Sequence, residues 1–126
     1  MKVLLTDDST TMRKIQRRVL TAMGIEDVVE ASNGKEALDK LKELNYQVTF
    51  VLLDINMPEM NGMETLKVIR STPASAQLPV IMCTSVAEKS QVLDAIKAGA
   101  SNYVVKPFQP EDLKKKIEQT LSKGKA

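Results

Sequence analysis

Five short apolar runs, each followed by a helix-length segment with its own apolar spacing, constrain this chain more than any other feature. The runs are Val3-Leu4-Leu5, Val28-Val29-Glu30-Ala31, Phe50-Val51-Leu52-Leu53, Val80-Ile81-Met82-Cys83 and Tyr103-Val104-Val105. A strand that is apolar at nearly every position, rather than at alternate ones, is covered on both faces. Helices that cross over between such strands make the sheet parallel, and right-handed crossovers leave a doubly wound α/β sandwich as the leading topology.

The segments between the runs carry helix signals. Ser9 and Thr10 offer caps for a first helix, with an apolar stripe at Met12, Ile15, Val19 and Met23 and a stop at Gly24. Asn33-Gly34 turns the chain into a second helix through Ala37, Leu38, Leu41 and Leu44. Met57-Pro58 and Asn61-Gly62 are turn residues that keep the segment after the third run out of a helix; Met63, Leu66 and Ile69 then share a helical face. Pro79 opens the fourth run. A helix through Val92, Leu93 and Ile96 stops at Gly99, Lys106-Pro107 ends the fifth run, and a last helix carries Leu113, Ile117 and Leu121.

At 126 residues without an internal repeat or low-complexity linker, residues 1–126 are expected to form one domain. A domain of this size buries about two-thirds of its unfolded surface, enough to fold without a disulfide or structural metal. With no Trp, two Tyr and two Phe, its core must come from aliphatic residues and Met. The lone Cys83 lies in an apolar run and reads as a buried hydrophobe, not a nucleophile. The absence of His removes the commonest general base and zinc ligand. A net charge of +2 is too small to argue for nucleic acid or a membrane surface. Lys114, Lys115, Lys116, Lys123 and Lys125 crowd the last helix as a solvated basic end. No signal-peptide pattern opens the chain and no apolar run approaches membrane-spanning length, so a cytoplasmic protein is expected.

Open parallel sheets bind ligands at the carboxyl ends of their strands. Those ends carry Asp7 and Asp8 after the first run, Asp54 after the third, Thr84 and Ser85 after the fourth and Lys106 after the fifth. Each has a plain structural explanation alone: Asp7-Asp8 as helix caps, Asp54 as a turn residue, Thr84 as a hydroxyl bonded to backbone, Lys106 as a solvated charge. Together they converge on one edge. Three carboxylates so close repel unless a cation or proton intervenes, and oxygen-only ligands suit magnesium. Lys106 and Thr84 can bind phosphate oxygens. The set contains no His and no Ser–base pair for hydrolysis, but Asp is itself a phosphoryl acceptor.

At these residues the chain resembles the response-regulator receiver domains, from Val3 to Leu121. Asp7-Asp8, the Asp54 of Leu52-Leu53-Asp54-Ile55-Asn56-Met57-Pro58, Thr84 and Lys106-Pro107 match the family motif in order and spacing. The resemblance implies a flavodoxin-like, doubly wound five-stranded parallel sheet of order 2-1-3-4-5 with five helices. It implies that Asp54 accepts a phosphoryl group from a histidine kinase, with self-catalysed phosphorylation and dephosphorylation and no separate enzymatic activity. Mg2+ would be held by Asp8, Asp54 and the backbone carbonyl of Asn56, with Asp7 mostly through water. Thr84 and Lys106 would contact the phosphoryl oxygens, and Tyr103 would be the switch aromatic that turns inward as Thr84 moves. Lys89, Lys97 and Tyr103 would contribute to a partner face on the fourth and fifth units. The apolar Val86, two residues after Thr84, stands where an acidic or amide residue can help place the attacking water.

Asp8-Ser9-Thr10-Thr11-Met12-Arg13 and the Asn56–Gly62 segment are most similar to chemotaxis regulators. That similarity implies a chemotaxis-type kinase, a flagellar motor switch protein or other output protein, and a phosphatase as partners. A phosphorelay intermediate and a receiver cut from a longer regulator are the alternatives within the family. A phosphatase with an Asp nucleophile would want Asp-x-Asp after the first strand and a cap. A flavin or nucleotide carrier using Ser9, Thr10 and Thr11 would face repulsion from Asp7 and Asp8.

Overall fold

Each apolar run is a strand. In a computed structural model, which describes residues 1–85, 90–106 and 109–123, the elements run β1 (Lys2–Thr6), α1 (Thr10–Ala22), β2 (Asp27–Ala31), α2 (Gly34–Glu43), β3 (Phe50–Asp54), α3 (Gly62–Ser71), β4 (Val80–Ser85), α4 (Val92–Lys97), β5 (Asn102–Lys106) and α5 (Pro110–Lys123). Val86, Lys89, Pro107, Lys125 and the side chain of Lys123 lie outside the described residues. All pairings are parallel and the strand order is β2-β1-β3-β4-β5. This is the expected doubly wound order, with the winding reversing between β1 and β3.

Alternate strand residues separate into two apolar layers. Leu4, Val51, Leu53, Val80 and Met82 pack with Ala37 and Leu41 of α2, Leu66 and Ile69 of α3 and Ala95 of α4. Val3, Leu5, Phe50, Leu52, Ile81, Cys83 and Val104 pack with Val19 and Leu20 of α1 and Leu113 and Ile117 of α5. Burying one such side chain contributes about 1.5–3 kcal/mol, so strands apolar on both faces hold the sheet between its helices. Cys83 is buried there, and burial pushes its thiol up to about 12, so it is the inert hydrophobe expected.

The helix ends explain where the crossovers turn. Ser9 and Asn33 cap α1 and α2, accepting from the amides of Met12 at 3.2 Å and Glu36 at 2.8 Å. Gly24, at φ +85°, ends α1 as expected: its amide donates to the Thr21 carbonyl and that of Ile25 to Leu20. Asn45, at φ 52°, closes α2 in the same way.

One expectation needs correction and two others are sharpened. The buried stripe of α1 is Gln16, Val19 and Leu20, with Met23 partly buried against the same layer as expected, whereas Ile15 is exposed. The apolar count hid this, because a polar Gln occupies a core-facing position. In α4, Leu93 and Ile96 face outward and only Ala95 is buried. Finally, Asn61-Gly62 ends the non-helical 55–61 segment as expected and also starts α3. Asn61 and Glu64 form a reciprocal capping box, each side chain accepting from the other's amide.

Candidate functional site

The register fixes the site. Thr6 lies beside Leu53, Asp54 beside Cys83 and Ser85 beside Lys106, so the ends of β1, β3, β4 and β5 share one edge, with β4 and β5 running two residues past β3. The next residue after β1, Asp7, is fully buried, and its amide donates to the Ala31 carbonyl at 3.1 Å. Its Oδ1 accepts from the Ser9 amide at 2.9 Å, so the helix-capping explanation accounts for one of its oxygens. Its Oδ2 faces Lys106.

The Lys106 ammonium donates to Asp7 Oδ2 and to Asp54 Oδ1, both at 2.9 Å. Asp54 is only 4% exposed. Asp8, by contrast, lies at the surface, yet Asp7, Asp8 and Asp54 each offer a carboxylate oxygen within 4.8 Å of the others. The one ammonium is bonded to two of the three carboxylates. Burial pushes the Asp54 carboxyl up to about 6; the Lys106 hydrogen bond pulls against this, and the charges of Asp7 and Asp8 add to it. Burial works against the charge on Lys106, but its bonds to Asp7 and Asp54 outweigh that and hold its pKa above the ordinary lysine value.

This donor set fits a hard divalent cation. All its ligand atoms are oxygens, one acid is solvent-facing, and three carboxylates share the edge with one ammonium. Asn56 follows Asp54 by two residues and is exposed, on a segment whose base is closed by the Gly62 amide donating to the Ile55 carbonyl at 2.8 Å. A Cβ on Gly62 would come within 2.2 Å of the Asp54 carbonyl oxygen, so only glycine lets α3 start this close to the strand end.

Thr84 is fully buried, and its hydroxyl donates to the Ser85 carbonyl at 3.2 Å. Tyr103 is half-buried on β5, with the Lys116 ammonium 4.7 Å from its ring centroid, within cation–π range. Lys97, on α4, is exposed. Sequence reasoning placed Asp7, Asp8, Asp54, Thr84 and Lys106 correctly at one edge but missed Arg13. Its guanidinium donates to the Asp7 carbonyl at 2.5 Å and to Glu30 at 2.9 Å, tying α1 and the end of β2 to the acidic pair. No local pattern reveals that contact, because Arg13 and Glu30 meet only once β1 and β2 pair.

Comparison with known proteins gives the same assignment. A family model described as the response regulator receiver domain matches residues 3–118. A chemotaxis protein CheY homolog of Campylobacter jejuni is 47% identical over 124 residues, 98% of this chain and 95% of that protein. Chemotaxis protein CheY1 of Helicobacter pylori is 46% identical over 121 residues, 96% of this chain and 97% of that one. Among solved structures, the chemotaxis response regulator CheY4 of Vibrio cholerae superposes with a TM-score of 0.85 at 32% identity, covering 94% of this chain and 97% of that chain. The family match begins in β1 and ends within α5, so it takes in the whole sheet and the edge that carries Asp54: the chain belongs to the response regulator receiver domain family, the phosphorylation-controlled switches of two-component signalling.

Proposed function

We propose that Asp54 accepts a phosphoryl group from a histidine kinase in a Mg2+-dependent reaction catalysed within this chain, and that the modified form binds an output protein in chemotaxis. The observation that carries the reading is the Lys106 ammonium held 2.9 Å from both Asp7 and Asp54 beside the exposed Asp8. The names of the Campylobacter, Helicobacter and Vibrio relatives support the chemotaxis part. Residues 1–126 are proposed to act as one receiver domain in the cytoplasm. No helix among the described residues is long and apolar enough to cross a membrane.

Asp8, Asp54 and the Asn56 carbonyl are the proposed Mg2+ ligands, with Asp7 acting mostly through water. Mg2+ held by these residues would supply positive charge against the phosphoryl oxygens. The Asp54 carboxylate attacks phosphorus, an acyl-phosphate bond forms, and the donor's phosphorus–nitrogen bond breaks. Lys106 is already aimed at Asp54 and follows the new phosphoryl oxygens. Thr84 exchanges its bond to the Ser85 carbonyl for one to the phosphoryl group. Tyr103 then turns inward, away from Lys116, and changes the surface formed by α4, β5 and α5. Hydrolysis of the acyl phosphate within the same site returns the chain to its resting form.

The test is to immobilise the chain, add acetyl phosphate and Mg2+, and compare what it retains with the untreated chain and with Asp54→Ala. The reading expects phosphorylation-dependent retention of a flagellar switch component. Retention of a phosphotransfer protein alone would make the chain a relay intermediate. Identical retention by all three samples would refute the switch.

A further inference from the structure

Gly34 is the first residue of α2, far in sequence from every site residue, yet it packs against the segment that follows Asp54. Its amide donates to the Met60 carbonyl at 3.1 Å. A Cβ built on Gly34 would lie 1.9 Å from Thr65 Oγ1 and 2.8 Å from that same Met60 carbonyl oxygen. Real Cβ contacts do not come this close, so any side chain here must push α2 and the 55–61 segment apart. Beside this contact, Asn33 Nδ2 donates to Glu59 Oε2 at 3.3 Å. Glu59 itself sits at φ 63°, a left-handed conformation that a non-glycine residue keeps only when its surroundings hold it.

The 55–61 segment is thus fixed at three places. Its base is closed by Gly62 and Ile55, Met57 is buried among the α2–α3 apolar layer, and its far end is joined to α2 by Gly34. Thr65 backs that joint from α3, its hydroxyl donating to the Asn61 carbonyl at 2.8 Å. Asn56 lies between the first two fixed points.

We infer that Gly34 is a positioning residue for the cation site: by having no side chain it lets α2 clamp the segment after β3, and so holds the Asn56 carbonyl in register with Asp8 and Asp54. The inference rests on the proposed function, in which that carbonyl is a ligand. Outer contacts that orient a metal ligand commonly set its affinity, and their loss weakens binding by on the order of tenfold.

The test is calorimetric titration with MgCl2 alone, without a phosphodonor, on the wild type, Gly34→Ala, Thr65→Ala and the double variant. Ile117→Val, on the opposite face of the sheet, is the stability control. Gly34→Ala is expected to weaken Mg2+ binding by on the order of tenfold. The double variant stays weak, because removing Thr65 Oγ1 leaves the Met60 carbonyl in the way; if Gly34→Ala alone does not fold, this relieved variant carries the measurement. Ile117→Val binds like the wild type, and Thr65→Ala, which loses the hydroxyl that backs the joint, weakens binding by less than Gly34→Ala does. Labelling of Asp54 by acetyl phosphate should need correspondingly more Mg2+ and reach the same plateau. Wild-type affinity in Gly34→Ala or in the double variant would overturn the inference while leaving the function reading intact. Failure of the wild type itself to bind Mg2+ would overturn both.

Discussion

Replacing Asp54 by Asn should make the metal-free protein more stable at neutral pH. Burial and the neighbouring acids raise the Asp54 carboxyl from 3.8 to about 6. Each unit corresponds to about 1.4 kcal/mol, so keeping this group ionised in the folded state costs at most about 3 kcal/mol above pH 6. The net rise already includes the Lys106 attraction, and an uncharged amide oxygen can still accept from Lys106, so the substitution stabilises by about 1–3 kcal/mol. The sign with pH follows from proton binding. The folded chain holds the Asp54 proton more tightly than the unfolded chain, so wild-type stability falls between about pH 4 and pH 6 and is level above. The advantage of Asp54→Asn should therefore be full at pH 7.5 and shrink towards pH 4.5. Urea unfolding at both pH values in a chelating buffer measures it. Adding Mg2+ should stabilise the wild type and reduce its deficit, because a ligand that binds only the folded state stabilises by mass action. An Asp54→Asn variant less stable than the wild type at pH 7.5, or a difference independent of pH, would refute the electrostatic argument.

Three other substitutions probe the same framework. Lys106→Met removes the ammonium between Asp7 and Asp54 and should destabilise the metal-free protein by about 2–3 kcal/mol at pH 7.5, with recovery on adding Mg2+ in the same unfolding assay. Gln16→Met should be neutral or stabilise by up to about 1 kcal/mol, because among the described residues the buried Oε1 has no hydrogen-bond partner and the Nε2 only a 3.6 Å contact with Cys83 Sγ; thermal unfolding checks it. Arg70→Met should cost about 2–3 kcal/mol in urea unfolding, since the guanidinium donates to the Gly99 carbonyl at 2.8 Å and the Leu78 carbonyl at 2.7 Å and leaves both short of a donor when removed.

The fold was legible because strands buried on both faces leave little freedom: Phe50-Val51-Leu52-Leu53 can only be central, and Asp54 must then emerge at its carboxyl end. The strand order itself came with the family resemblance, since alternation alone does not say which neighbour each strand takes. The site was legible as a set of strand-end residues, and the structure joins Asp7, Asp54 and Lys106 by direct hydrogen bonds. What stayed hidden depends on contacts between elements. Gln16 gave no core signal because its amide is polar, although the helix turns it to the core. Arg13 and Gly34 showed no local signal, because a guanidinium on a distant carbonyl and a glycine chosen for lack of space become visible only when α1, α2 and the 55–61 segment are packed. The outward-facing Leu93 and Ile96 look like core residues in sequence for the opposite reason: exposed apolar side chains follow the same helical spacing as buried ones.

The central claim is that Asp54 is the phosphoryl acceptor. Its most direct test is to incubate the chain with an autophosphorylated histidine kinase and Mg2+, reduce the acyl phosphate chemically, and map the modified residue by peptide mass spectrometry. The account predicts one phosphoryl group per chain, on Asp54, not formed when Mg2+ is chelated beforehand and absent from Asp54→Ala. Modification at another residue, or undiminished labelling of Asp54→Ala, would contradict it.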